Sequence, residues 1–309
     1  MNPLTGTIRP ASARPPSFPH ATPSLISVPA PMLTPASRSV CVALLASIVV
    51  LALGCSSGDS PDAEGAAPNA LTAAEEADGW TLLFDGESFE GWTGLGRDSI
   101  PPGHWQIEDG TIRKVESGQV PTAPDGQPLE GGDIMTEQTY RNFELKLEWK
   151  ASEGGNSGIK YNVSDSLSTA HEPVHAALGF EYQLLDDQRH PDAEAPSHRA
   201  SALYDLIPAG EGKALRPVGE WNETRLVFDG PRGEHWLNGE KVLEYDLTSA
   251  RFDSVFAASK YAGIEGFRTR RAGHIVLQDH GNDFWFRNIK IRELPTGEAT
   301  ADQATASAE

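Results

Sequence analysis

Thiols are almost absent: Cys41 and Cys55 are the only two in 309 residues. Two cysteines cannot build a disulfide framework or a cysteine zinc site. Apolar runs are short. The longest, Val40–Leu53, has 14 residues, below the roughly 17–25 of a membrane-spanning helix. Basic residues are few, 25 against 44 acidic, for a net charge of −19. That balance argues against nucleic acid as a partner, because phosphate binding needs clustered Lys and Arg. Several catalytic signatures are missing: the Gly-x-Ser-x-Gly elbow, the P-loop, the Rossmann glycine fingerprint and His-Glu-x-x-His. No segment holds a 3.6-residue period, and no internal repeat is visible.

A core can still be built. Hydrophobic residues make up 39% and seven Trp are present, so the whole chain is not disordered. The 30 Gly and 23 Pro suit a turn-rich β protein.

Residues 1–54 contain no Asp or Glu, and Arg9, Arg14 and Arg38 are their basic residues. Arg38, the apolar run and the small residues after it read as a secretory signal. Ala52-Leu53-Gly54-Cys55 is similar to a bacterial lipobox, with the usual order of its first two residues inverted. Cys55 is then the acylated residue, and an ordinary cleaved signal is the alternative. Met32 is the expected true start. Residues 55–78 are small and acidic and read as a flexible linker. The tail, 295–309, reads the same way. The folded unit is thus expected over 79–294, in a protein of the cell envelope. Ser56, after the modified cysteine, favours the outer membrane over the inner.

Within that unit, short alternating segments recur between turn signals. Trp105–Glu108 and Thr111–Val115 flank Asp109-Gly110, a type I′ hairpin signal. Asn238-Gly239 does the same inside Glu234–Tyr245. Phe143–Trp149 alternates apolar and charged residues strictly. Further runs cover Trp80–Phe84, Phe180–Leu185, Thr224–Phe228, His274–Gln278 and Phe284–Arg292. Gly154–Gly158 reads as a loop. Many short strands at close spacing predict an all-β sandwich or jelly roll.

The candidate chemistry lies on strands and strand ends. Glu181 and Gln183 share one face of their strand with Leu185. That face is either solvated or the floor of a sugar site. Asp279 and His280 end an apolar strand; they pair for proton transfer or cap the turn. Lys160 and Tyr204 offer donors to oxygen ligands, with a surface Lys and a core-edge Tyr as the plain reading. Asp186 and His190 belong to a long loop, 186–201, and are further candidates for binding substrate. Asp186, Asp187 and Asp192 hold calcium if that loop folds back. Most Trp are core by pattern, though one or two can stack on sugars.

An ordered set of motifs then resembles one family. It comprises Leu83-Phe84-Asp85-Gly86 with Gly91-Trp92, Trp105–Gly110, Gly132–Thr136, Tyr140–Trp149 and Gly155–Ile159. It continues with Glu181–Asp186, Pro217–Asn222, Trp236–Gly239 and Gly273–Gly281 running into Phe286–Ile291. These resemble the 3-keto-disaccharide hydrolase domain, also called DUF1080. Many members carry Arg soon after Asn-Ser-Gly; here Lys160 or Tyr161 stands in its place. The resemblance implies a concanavalin A-like jelly roll of two antiparallel sheets. It also implies secretion or lipid anchoring, and cleavage of glycosides already oxidised at C3 by a separate oxidoreductase. A C3 ketone acidifies the C2 proton, so one base and enolate stabilisation suffice. The expected roles are Glu181 or His280 as base, Asp279 orienting His280, Lys160 and Tyr204 facing the C3 oxygen, and Gln183 on a hydroxyl. The same fold also serves lectins. A non-catalytic carbohydrate-binding lipoprotein, or a purely structural envelope protein, therefore stays open at this stage.

Overall fold

The computed structural model describes residues 67–115, 131–171 and 176–295. The leader 1–54, Cys55, most of the expected linker and the tail from residue 296 lie outside the described residues.

The strands are β1 (Trp80–Leu82), β2 (Trp92–Gly94), β3 (Trp105–Glu108), β4 (Thr111–Lys114), β5 (Ile134–Thr136), β6 (Phe143–Ala151) and β7 (Asn156–Val163). They continue as β8 (Phe180–Leu185), β9 (Asn222–Asp229), β10 (Arg232–Leu237), β11 (Glu240–Asp246), β12 (His274–Leu277) and β13 (Phe284–Glu293). They form two sheets. One runs β11-β10-β9-β6-β13-β4-β3, with β1 also on β13; the other runs β2-β5-β12-β7-β8. The strand pairings given are all antiparallel. This is the expected two-sheet all-β sandwich.

Alternation builds the core. In β6, Phe143, Leu145, Leu147 and Trp149 join one buried cluster with Ile159, Tyr161, Phe180, Tyr182, Leu184, Ile275 and Leu277 from the second sheet. The Asp109-Gly110 and Asn238-Gly239 turns hold φ of 49°, 69°, 49° and 86°, as type I′ geometry requires.

Three segments differ from the sequence expectation. The loop ends at Gly155, and Asn156 already opens β7, a strand hydrogen-bonded on both sides. The linker is ordered at its end. Thr72 and Glu75 form a capping box on α1 (Ala73–Ala77), and Asn69 and Asn288 exchange backbone-to-amide bonds of 2.6 and 2.8 Å. The folded unit therefore takes in Asn69–Asp78. Finally, after the short α2 (Asp165–Thr169) on its Ser164 cap, α3 (Ala250–Ala258) starts on the Ser249 cap and buries Phe252 and Phe256. Two apolar residues four apart meet on one helix face, too few to register as a period.

The long loop after β8 is tied to it. Residues 201–204 run along the free edge of β8: Gln183 N–H donates to Ala202 O, Ser201 N–H to Gln183 O and Tyr204 N–H to Glu181 O. This covers an edge that would otherwise expose unpaired backbone. His235, buried in the core, donates from Nδ1 to Ser201 O at 3.0 Å and lies 3.1 Å from Tyr161 Oη. It thus pins Ser201, whose φ is 69°, from the opposite sheet.

Candidate active site

The site lies on the face of the five-stranded sheet that points away from the core. Register sets its rows. Met135, Val276, Lys160 and Glu181 are successive partners across β5, β12, β7 and β8. Tyr204 follows Glu181 on the covered edge. The next row holds Gln278, Gly158 and Gln183, with Gln278 N–H donating to Gly158 O at 2.9 Å. Glu181, Lys160, Gln183 and Tyr204 are thus brought together as the sequence suggests. Tyr161 points into the core, which leaves Lys160 as the cation after Asn-Ser-Gly.

This face is not solvated. Glu181 is 5% exposed, Lys160 4% and Gln183 1%, so both the solvated-face reading and the surface-lysine reading fail. Burial raises the Glu181 pKa, while Lys160 and Lys260 pull it back. Among the described residues no hydrogen-bond donor is fixed on its carboxylate. Lys160 Nζ donates to Ala177 O at 3.2 Å and lies 3.6 Å from Asp133 Oδ2. Asp133 accepts from the Asp279 and Ala177 amides at 2.8 and 3.1 Å, so it holds Lys160 against a rigid frame.

Tyr204 is a wall. His198 stacks on it at 4.5 Å, and Lys260 Nζ sits 4.3 Å from its ring centre. Its hydroxyl donates to Asp192 Oδ2 at 3.3 Å. The Tyr204 hydroxyl hydrogen is thus directed at Asp192. Lys260 brings a second cation to this face. It follows α3, and its N–H donates to Asp205 Oδ2 at 2.9 Å. His198 bridges Asp192 and Asp205, 3.1 Å from each. His198 and Lys260 did not stand out in the sequence, and they reach the site through tertiary packing with no local motif to mark them. Asp133 lies in the Gly132–Thr136 motif, but nothing there marked it for a role of its own.

Asp279 takes a different role. His104 Nδ1 lies 2.6 Å from Asp279 Oδ2, and Lys114 Nζ lies 2.9 Å from Oδ1. All three are buried. The carboxylate goes to His104 and Lys114 in place of the expected pairing with His280. Oδ1 also accepts from Gly281 N at 2.9 Å, which is the turn-capping alternative. His280 faces His190 edge-on, with ring centres 6.2 Å apart, at the end of the sheet where β8 and β12 finish. His190 Nδ1 accepts from Asp192 N at 3.1 Å.

The loop carboxylates are dispersed. Asp186 caps Gly154 N and Gln188 N at 2.9 and 3.0 Å. Asp187 accepts from Ala200 N and pairs with Lys213 at 2.7 Å. Asp192 serves His198 and Tyr204. The expected calcium trio therefore does not converge, and among the described residues no three His, Cys, Asp or Glu side chains gather into a metal cluster. The structure likewise gives Asp186 to the turn and not to the substrate face. A cavity of about 650 Å³ adjoins Leu185, Asp187, Arg199, Lys213 and Arg216. Asp187 and Lys213 pair with each other on its wall, and Glu181 is not among its walls.

Residues 79–292 match the family described as the 3-keto-alpha-glucoside-1,2-lyase-like domain. A 3-keto-disaccharide hydrolase of Bacteroides thetaiotaomicron is 36% identical over 254 residues, covering 76% of this chain and 85% of that protein. Two Parabacteroides distasonis crystal structures, each described as a candidate glycosyl hydrolase, are also similar. The first is 30% identical at a TM-score of 0.64, covering 74% of this chain and all of that one. The second is 26% identical at 0.53, covering 70% and 99%. Match length and identity together place the chain in the 3-keto-alpha-glucoside-1,2-lyase-like family.

Proposed function

We propose that this protein hydrolyses glycosides whose sugar already carries a ketone at C3. Glu181 removes the C2 proton, and the C2–H electrons form an enolate with the C3 carbonyl. The enolate then expels the C1 oxygen substituent, which leaves with a proton, and a C1=C2 double bond remains. Water adds across it, hydroxyl to C1 and hydrogen to C2, and net hydrolysis results. The observation carrying this reading is the row of buried Lys160 and Glu181 and half-buried Tyr204, with Lys260 over the Tyr204 ring. A carboxylate whose pKa is raised by burial is a stronger base than a free one. Two ammonium groups near it favour the developing oxyanion.

Glu181 is assigned as base ahead of His280, because the cations flank it. Glu181→Gln is expected to lose at least about 100-fold in kcat on a 3-keto disaccharide, and His280→Ala markedly less. The reverse order would give the proton transfer to His280.

The leader supports a lipid-anchored envelope protein acylated at Cys55, fed by a separate sugar C3-oxidoreductase. Loss of lipid labelling in Cys55→Ser, with secretion retained, tests the anchor.

A further inference from the structure

Two buried amide oxygens on the substrate face have no donor: Gln183 Oε1 and Gln278 Oε1. Gln183 is 1% exposed and Gln278 7%. Gln183 Nε2 donates to Asn156 Oδ1 at 3.0 Å, which turns its oxygen away from Asn156. The two glutamines stand on the strands either side of β7, in the row whose middle member is Gly158. Strands lie about 4.8 Å apart, so the slot between the glutamines is close to two strand spacings wide. Gly158 has no side chain, and the Glu181 carboxylate occupies the space a Cβ there would take, between the two glutamines.

We infer that Gln278, together with Gln183, reads two free hydroxyls on the sugar held against Glu181. This rests on the proposed function for the identity of the ring, but not for the hydroxyl reading itself. A buried carbonyl oxygen left without a donor is unfavourable, and a hydroxyl from the substrate removes that cost. The chemistry also sorts the two ends of the ring. An amide oxygen only accepts, and a ketone only accepts, so the C3 oxygen cannot pair with Gln183 Oε1 or Gln278 Oε1. The donors Lys160 and Lys260 suit it, while hydroxyl donors suit the two orphan oxygens. Glu181 then lies between a donor side and an acceptor side. The substrate class is a glycoside with one ring ketone and two unblocked hydroxyls elsewhere on the same sugar.

The test pairs variants with analogues. Wild type and Gln278→Leu are assayed on a 3-keto disaccharide and on its 4-deoxy and 6-deoxy forms. Wild type is expected to lose about 100-fold in kcat/KM on one of the deoxy forms, because a site built around a hydroxyl rejects the analogue without it. Gln278→Leu is expected to show a loss of that size on the parent and no further loss on the matching deoxy form. Gln183→Leu should match the other. Thermal unfolding should show Gln278→Leu no less stable than wild type, since its orphan oxygen is gone, whereas Gln183→Leu also strands the buried Asn156 Oδ1 and should melt lower. Equal kcat/KM for wild type and Gln278→Leu on the parent sugar would overturn the inference. So would an undiminished deoxy penalty in both leucine variants. If wild type turns over none of these sugars, the proposed function fails, and the same pairs are read as dissociation constants for the unoxidised sugar and its deoxy forms. There the same pattern supports hydroxyl reading, and identical affinities across all pairs contradict it.

Discussion

Gly158 makes room for Glu181. A Cβ at position 158 would sit 2.8 Å from Glu181 Cδ and closer still to Oε1. The glycine is in the middle of a strand, where it weakens pairing and packs nothing, so its place there is explained by the carboxylate across from it. Gly158→Ala is expected to displace the base and cut kcat by about 100-fold, since small displacements of a reacting group cost that much. Circular dichroism and the unfolding midpoint should stay near wild type. An active alanine variant would separate the base from this position.

Glu181 gives up stability for its role. Its folded pKa is raised by burial, so the folded state holds its proton more tightly than the unfolded chain. Its favourable contribution is present below the unfolded value and is lost as pH rises through the folded value. Glu181→Gln should therefore raise the melting temperature at neutral pH and leave it unchanged near pH 4. Over the same range, kcat/KM of the wild type should climb with pH through a value above the ordinary carboxylate pKa. A variant destabilised at neutral pH would contradict both statements.

Asp279 is expected to act on stability and not on turnover. It sits between His104 and Lys114, with all three buried. Gly132 lies against it, where a Cβ would come within 2.7 Å of Asp279 Cγ. Removing one partner of a buried ion pair strands the other and costs about 3–5 kcal/mol. Asp279→Asn should lose stability on that scale in urea melts, while the folded fraction keeps kcat within a few-fold of wild type. Loss of kcat at full stability would return Asp279 to the chemistry.

Much of this fold was legible in the sequence. Period-2 alternation located β6 and β8, and Asp-Gly and Asn-Gly located both tight hairpins, because each signal is local. The shared face of Glu181 and Gln183 was legible from strand alternation and from the Glu181–Asp186 motif, and Lys160 from its place just after Gly155–Ile159, whereas Tyr204 stands in no such motif. The burial of that face was not, because it depends on the loop over 186–205 and the segment after α3 folding across it. Asp279 shows the same limit. Its sequence neighbour is His280, yet its carboxylate finds His104, 175 positions away, through the pairing of separate strands.

His235 ties the catalytic face to the opposite sheet. Burial lowers its pKa from 6.5 to about 4, so it is neutral at physiological pH. It links Tyr161 to the Ser201 carbonyl, and Ser201 begins the segment that carries Tyr204. A lowered histidine pKa adds stability above the unfolded value, lost as pH falls from about 6.5 through about 4. His235→Phe should cost about 2–3 kcal/mol at pH 7, with the gap to wild type shrinking below pH 6. A constant gap from pH 4 to 8 would contradict the neutral-imidazole account.

Proton abstraction at C2 of a C3-oxidised sugar by Glu181 is read out by cleavage of a 3-keto disaccharide carrying deuterium at C2, with the unoxidised disaccharide as control. Turnover of the keto form alone is expected, with a slower rate for the deuterated substrate and loss of both in Glu181→Gln. Cleavage of the unoxidised sugar at a comparable rate, or turnover of the keto form that survives in Glu181→Gln, would contradict it.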